Sequence, residues 1–163
     1  MAWVTPRTFV AAAVLTAAQL NETRDNLKAL LPLDQVAFST WTPTITQVGN
    51  PTKTVTYARY QQVGKIIAAY WKLAVTSAGT TNNPITISVP VTAKQSDQYC
   101  GQFIFTDQST GSIYVGIAQL ASTTTVQGLL SSTSGVTSVI GSTPNLPLAS
   151  GDTLWGSIVY EAA

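Results

Sequence analysis

The run KIIAAYWKLAV, residues 65–75, is apolar on both sides of a period-two alternation. Ile67, Ala69, Trp71, Leu73 and Val75 fall on one side, and Ile66, Ala68 and Tyr70 on the other. A helix would place its apolar residues three and four apart, so this pattern belongs to a strand. A strand apolar on both faces is a central one, covered on each side by a second sheet or by a neighbouring subunit. Outward from this run the same period recurs. In PITISVP, Ile85, Ile87 and Val89 oppose Thr86 and Ser88, and in GSIYVGIAQL, Ile113, Val115 and Ile117 share a face. In DTLWGSIVYE, Leu154, Gly156, Ile158 and Tyr160 oppose Trp155, Ser157, Val159 and Glu161.

Turn signals punctuate these runs: VGNP at 48–51, GTTNNP at 79–84, DQSTG at 107–111 and ASGD at 149–152. About eight or nine strands fit between Val36 and Glu161, and no helix pattern interrupts them. The segment Ser131 to Leu148, rich in Ser, Thr and Pro, reads as loops around one short strand. Strands without crossover helices pair antiparallel, so the expected fold is mainly β, an antiparallel jelly-roll-like β-sandwich over 36–163. No internal repeat is visible.

Before Pro32 the chain is different. Of 8 Lys and Arg and 7 Asp and Glu in 163 residues, five (Glu22, Arg24, Asp25, Lys28 and Asp34) lie between positions 22 and 34. Thr16 and Gln19 have the spacing of a capping box, and no Gly or Pro occurs from Ala17 to Leu31. The spacing predicts a solvated helix over 16–31, ended by Pro32. Asp25 and Lys28 are placed for a weak ion pair, and Arg24 and Lys28 for mild repulsion. The apolar stripe is thin: Leu20, Leu27 and then Leu30 or Leu31. Seven-residue spacing suits a coiled-coil seam better than a helix lying on a globular core. A lone helix of this length is marginal in water, so it needs partners. Packing on its own β-domain and self-association are both open, and the narrow stripe favours self-association. Residues 1–15 read as an extended arm and 32–35 as a linker. The stretch FVAAAVLTAA, 9–18, resembles the apolar core of a secretion signal. It is short, follows only Arg7 and runs straight into a capped helix, so we do not read it as one.

Charged residues make up 9% of the chain against about 25% in a typical domain, and Ser and Thr fill the gap. The hydrophobic fraction of 45% excludes a disordered composition. A net charge of +1 argues against nucleic acid, and no apolar run is long enough to span a membrane. The chain has no histidine, which removes Ser-His-Asp and Cys-His nucleophiles and the commonest transition-metal ligand. Cys100, in QYCGQFIF, has no basic neighbour and reads as a buried apolar residue. Being single, it says little about redox compartment. Asp97, Asp107, Asp152 and Glu161 are the acids near strands. Asp107 and Asp152 lie in turns, where Asp normally caps its own backbone, so a catalytic pair is not expected. No acid-rich loop suits calcium and no phosphate loop is present. We therefore expect no catalytic residue, no metal and no cofactor. Trp41, Trp71, Trp155 and the tyrosines could form a sugar-binding platform, although an aromatic in an alternating strand is more often core.

The N-terminal segment WVTPRTFVAAAVLTAAQLNETRDNLKAL carries Thr5-Pro6-Arg7-Thr8-Phe9, Leu15-Thr16-Ala17-Ala18, Leu20-Asn21 and Arg24-Asp25-Asn26-Leu27. It resembles the TPRTW-like start and TAAxLN…RDNL helix of small structural proteins of tailed bacteriophages, with Phe9 where Trp is commoner. WTPTIT (41–46), YARYQQVGKIIAAYWKLAV (57–75), ISVPVTA (87–93) and the closing ASGDTLWGSIVYEAA are similar to their β-domains. The resemblance implies a minor tail, fibre-like or capsid-surface protein of the virion. It implies a homotrimer, with the N-terminal segment bound to other virion proteins and the β-domain projecting outward. A cluster of Trp3, Pro6 and Phe9 would then be the docking anchor, unless the arm folds back on its own sheet. A host cell-surface glycan is the remaining partner to consider. The competing reading is a free-standing carbohydrate-binding module. An enzyme acting on cell-wall polysaccharide is disfavoured by the missing histidine and the sparse carboxylates.

Overall fold

The computed structural model describes residues 16–30, 37–48, 50–131 and 137–163, apart from the side chains of 27–30. The chain divides at Ala37/Phe38 into two units.

In the first, helix α1 runs Ala17–Leu30. The capping box forms as expected: the Gln19 amide donates to Thr16 Oγ1 at 3.3 Å, and Thr16 N donates to Gln19 Oε1 at 2.8 Å. Arg24 pairs with its neighbour Asp25 at 3.2 Å.

Among the described residues the second unit consists of strands and connections. Its elements are β1 (Ser39–Thr40), β2 (Ile45–Thr46), β3 (Lys53–Val63), β4 (Ile66–Val75) and β5 (Thr86–Ser88). They are followed by β6 (Tyr99–Asp107), β7 (Ser112–Leu120), β8 (Thr125–Ser131), β9 (Thr137–Val139) and β10 (Thr153–Glu161). Every ladder is antiparallel. The order is β1-β3-β4-β10-β6-β7-β8-β5-β2, with β9 beside β8. The hydrogen-bonded strands thus form one continuous sheet, and it curls. Its two ends bring Ile45, Ile87 and Val126 into the same core as Ile67, Trp71, Leu73, Phe103, Phe105, Leu154 and Ile158. Curling lets one long sheet enclose a core without a separate covering layer.

The registers explain which side chains face inward. Gly156 lies between Trp71 of β4 and Phe103 of β6 in the ladder. An added Cβ there would sit 2.1 Å from Trp71 Cζ2. At Gly128 it would meet Phe103 Cδ1 at 2.6 Å. Glycine at these points makes room for two large rings, which meet edge to face at 6.2 Å. On β7 the inward residues are the small Gly116 and Ala118 together with Leu120 and Tyr114, whose ring stacks on Phe105 at 5.8 Å.

Two buried polar residues fasten the connections. Gln47 Nε2 donates to Leu146 O at 2.8 Å and Asn83 O at 3.1 Å, and its Oε1 accepts from Leu148 N at 2.8 Å. Asp152 accepts from Ala149 N at 2.7 Å and Gln108 N at 3.0 Å, holding the ASGD turn to the β6–β7 hairpin. Tyr160 closes the end of β10, its hydroxyl donating to Val91 O at 2.7 Å.

Candidate functional site

Trp3, Pro6, Phe9 and Leu31, expected in the arm and the seam, lie outside the described residues. Leu27 and Leu30 belong to α1, but their side chains lie outside them too. Leu20 is exposed on the helix.

The acids near the strands each have a hydrogen-bond or ion-pair partner within the protein. Asp107 Oδ1 accepts from Ser109 Oγ at 2.7 Å and from the amides of Ser109 and Thr110 at 2.9 and 3.2 Å. The Ser109 hydroxyl foremost, with the Thr110 hydroxyl and both amides, holds its carboxyl below the ordinary range. Asp152 is buried in its turn, and Glu161 pairs with Lys94 at 2.8 Å. Among the described residues no three of His, Cys, Asp and Glu come together as metal ligands would. Cys100 is buried beside Ala118 O, and burial pushes its thiol up to about 11, away from a reactive thiolate. No helix among the described residues is long and apolar enough to cross a membrane.

The feature that stands out is the outer face of the sheet. Residues directly opposed in an antiparallel ladder share a face, so the registers define rows across the strands. One outward row runs Tyr57–Lys72–Trp155–Ile104–Val115, from β3 through β4, β10 and β6 to β7. The next runs Arg59–Tyr70–Ser157–Gln102–Ile117. Farther along, Ile66 lies beside Val63 and Val159 beside Ala68, and at the opposite end Ile113 is paired with Thr106.

These are not edge positions of the core. Ile113 is 65% exposed, Val115 56% and Ile117 50%, while Ala118 on the other face of the same strand is wholly buried. Tyr57, Tyr70, Trp155, Val159, Ile66 and Val63 are exposed as well. The face has two halves. On β3, β4 and β10 it is aromatic and cationic, with the Lys72 ammonium 4.0 Å above the Trp155 ring and Phe38 edge-on to Tyr70 at 6.0 Å. On β6 and β7 it is uncharged, with Ile104, Ile113, Val115 and Ile117 beside the polar Gln102 and Thr106. A shallow depression beside it is lined by Gln102, Val115, Ile117, Leu129 and Ser131.

The aromatics expected to be core or platform divide accordingly. Trp71 is fully buried, Trp41 is half-buried against the core, and Trp155 is on the outer face. The sequence did signal this face, since 65–75 is apolar on both sides. What it lacks is which side of each strand is turned inward, so nothing in it marks Tyr57 or Ile104 as part of this face.

Compared with known protein families, curated proteins and solved structures, the chain matches none.

Proposed function

We propose that this chain is a non-enzymatic structural component of a tailed-phage virion. In this reading it is a homotrimer, fixed to the particle through its N-terminal segment and displaying the β-unit outward. Its place is a tail fibre or tail tip, or the capsid surface as a decoration or head-fibre protein. The two opposed ends of the curled sheet would serve as the layers of a jelly-roll-like sandwich.

The observation that carries this reading is the division of the chain. A capped helix with an exposed leucine belongs to one unit, and a β-unit with its own closed core belongs to another. That division suits a protein which attaches at one end and displays the other. The N-terminal motif and the β-domain motifs quoted above support the same assignment. Mass spectrometry of washed particles from the phage that encodes the chain tests it. The protein should copurify with intact particles, and deleting residues 1–15 should leave it in the unbound fraction. Presence in the infected lysate but absence from washed particles would refute it.

One observation favours a second reading, a free-standing carbohydrate-binding module. Tyr57, Tyr70 and Trp155 stand on one face with Arg59 and Gln102 between or beside them, the mix of flat apolar surface and polar groups that sugars need. It requires glycan-array hits with the full-length protein, reduced by Trp155→Ala.

A further inference from the structure

We infer that the outer face of β4, β10, β6 and β7 is a homomeric interface, with the aliphatic strip Ile113, Val115 and Ile117 packed on the same strip of the neighbouring copies about the symmetry axis. The inference deepens the proposed trimer by saying what holds it, and rests on that reading only for the number of copies.

The first argument is area. Nine outward apolar side chains of β3, β4, β7 and β10 are 38–65% exposed, and at about 150–250 Å² for a whole large side chain they leave on the order of 900 Å² open. The largest apolar patch of an ordinary monomer is about 300–600 Å². A standard interface takes about 800 Å² from each partner, so the face is large enough for a stable association.

Chemistry then selects the occupant. Symmetric association brings identical residues face to face near the axis, which repels where they carry charge and stabilises where they are apolar. The half of the face on β6 and β7 bears no charge: Gln102, Ile104 and Thr106 on one strand, Ile113, Val115 and Ile117 on the other. β-Branched side chains standing off a strand interdigitate with a like sheet at about 10 Å spacing. A glycan would need flat aromatic faces, and on this half only Tyr99, at the end of β6, supplies one, while the exposed positions along β7 are aliphatic. A lipid surface would favour flanking cations, and these lie on the other half, at Arg59 and Lys72. A copy of the same strip fits best. The helical seam is then an accessory and the sheet holds the assembly.

The test is the solution mass of the full chain by light scattering behind a sizing column, across a range of loading concentrations. The wild type should run as a multiple of 17.2 kDa. The double variant Ile113→Lys/Val115→Lys should fall to the mass of one chain, with its denaturation midpoint no lower than that of a dissociated wild type. Both side chains are solvent-exposed within one chain, so the lysines do not disturb its core. Should that variant fail to fold, Ile113→Thr/Val115→Thr keeps strand propensity and should weaken association at least tenfold. The full-length variant Leu20→Lys/Leu27→Lys should keep the wild-type mass. Loss of the multimer in the helix variant alone would overturn the inference in favour of the seam, and leave the virion reading standing. A multimer that survives the sheet substitutions would overturn it too. A wild type that is a single chain at every concentration would overturn both the inference and the trimer, whereas particle incorporation is read separately.

Discussion

Replacing Gln47 by Ala should be among the most damaging single changes in the β-unit. Its amide is wholly buried and joins three backbone groups far apart in sequence: the carbonyls of Asn83 and Leu146 and the amide of Leu148. Removing it strands a buried N–H, which costs about 1–3 kcal/mol, and leaves two carbonyls short of a donor. Gly79 and Gly141 both approach the Gln47 side chain closely, so truncation also opens a void between backbone segments. The total comes to about 4 kcal/mol, which in a chain of this size lowers Tm by roughly 10 °C. Equilibrium unfolding in urea, followed by tryptophan fluorescence, measures it. Gln47→Glu sharpens the test. The carboxylate can still accept from Leu148 N but turns lone pairs and charge toward two carbonyls, so at neutral pH it should be at least as destabilising as Ala. Acidification protonates it and supplies one donor, so part of the loss should return as pH falls through its pKa. A Gln47→Ala protein within about 1 kcal/mol of wild type would refute the reasoning, because such a change is expected only at an unstrained surface position.

Other consequences are as direct. Gly156→Ala should cost about 3 kcal/mol by overpacking, since the new Cβ meets the Trp71 ring and that ring is backed by Phe103; an unchanged urea midpoint would exclude the close approach. Asp152→Asn should destabilise by about 2 kcal/mol, because one of its two amide partners would face an NH₂ group; a stability equal to wild type would show that the turn does not depend on the second acceptor. Burial raises Cys100 from 9.0 to about 11 and Tyr160 from 10.0 to about 12, so each favours the folded state while protonated. Stability should therefore be full below pH 9 and fall as pH rises toward 12; with Cys100→Ala the decline should begin closer to pH 10, and a midpoint constant across this window would contradict both burials. In the folded protein the Cys100 thiol should react with a disulfide reagent only as fast as the protein opens, so denaturant should accelerate labelling by orders of magnitude.

How far the sequence speaks for the fold can be judged from particular residues. Thr16 and Gln19 announced the helix start, because the hydrogen bonds of a capping box lie within one turn and need nothing else of the fold. Asp107 and Asp152 announced turns for a similar reason: their partners are near in sequence, apart from the Asp152 bond to Gln108. The alternation of 65–75 and 153–161 marked two strands and sorted the residues of each into two faces, which the structure places side by side as β4 and β10. By contrast, nothing local marks Gln47. Its partners are 36, 99 and 101 residues away, and in the sequence it is one more polar residue before a turn.

The sequence by itself determined a mainly β chain behind one capped helix, because periodicity, caps and turn residues act over a few bonds. Only the tertiary structure decided how the strands are ordered, and with that which face of each is spent on the core. Strand β7 shows the physical reason. Three of its four large aliphatic residues, Ile113, Val115 and Ile117, form an apolar row that pattern alone would take inward. Yet the ladder with β6 sets Gly116 opposite Phe103 and Tyr114 opposite Phe105, so the rings fill the interior and Ile113, Val115 and Ile117 are left outside. A period-two pattern fixes which residues share a face, whereas pairing register and volume fix which face is buried.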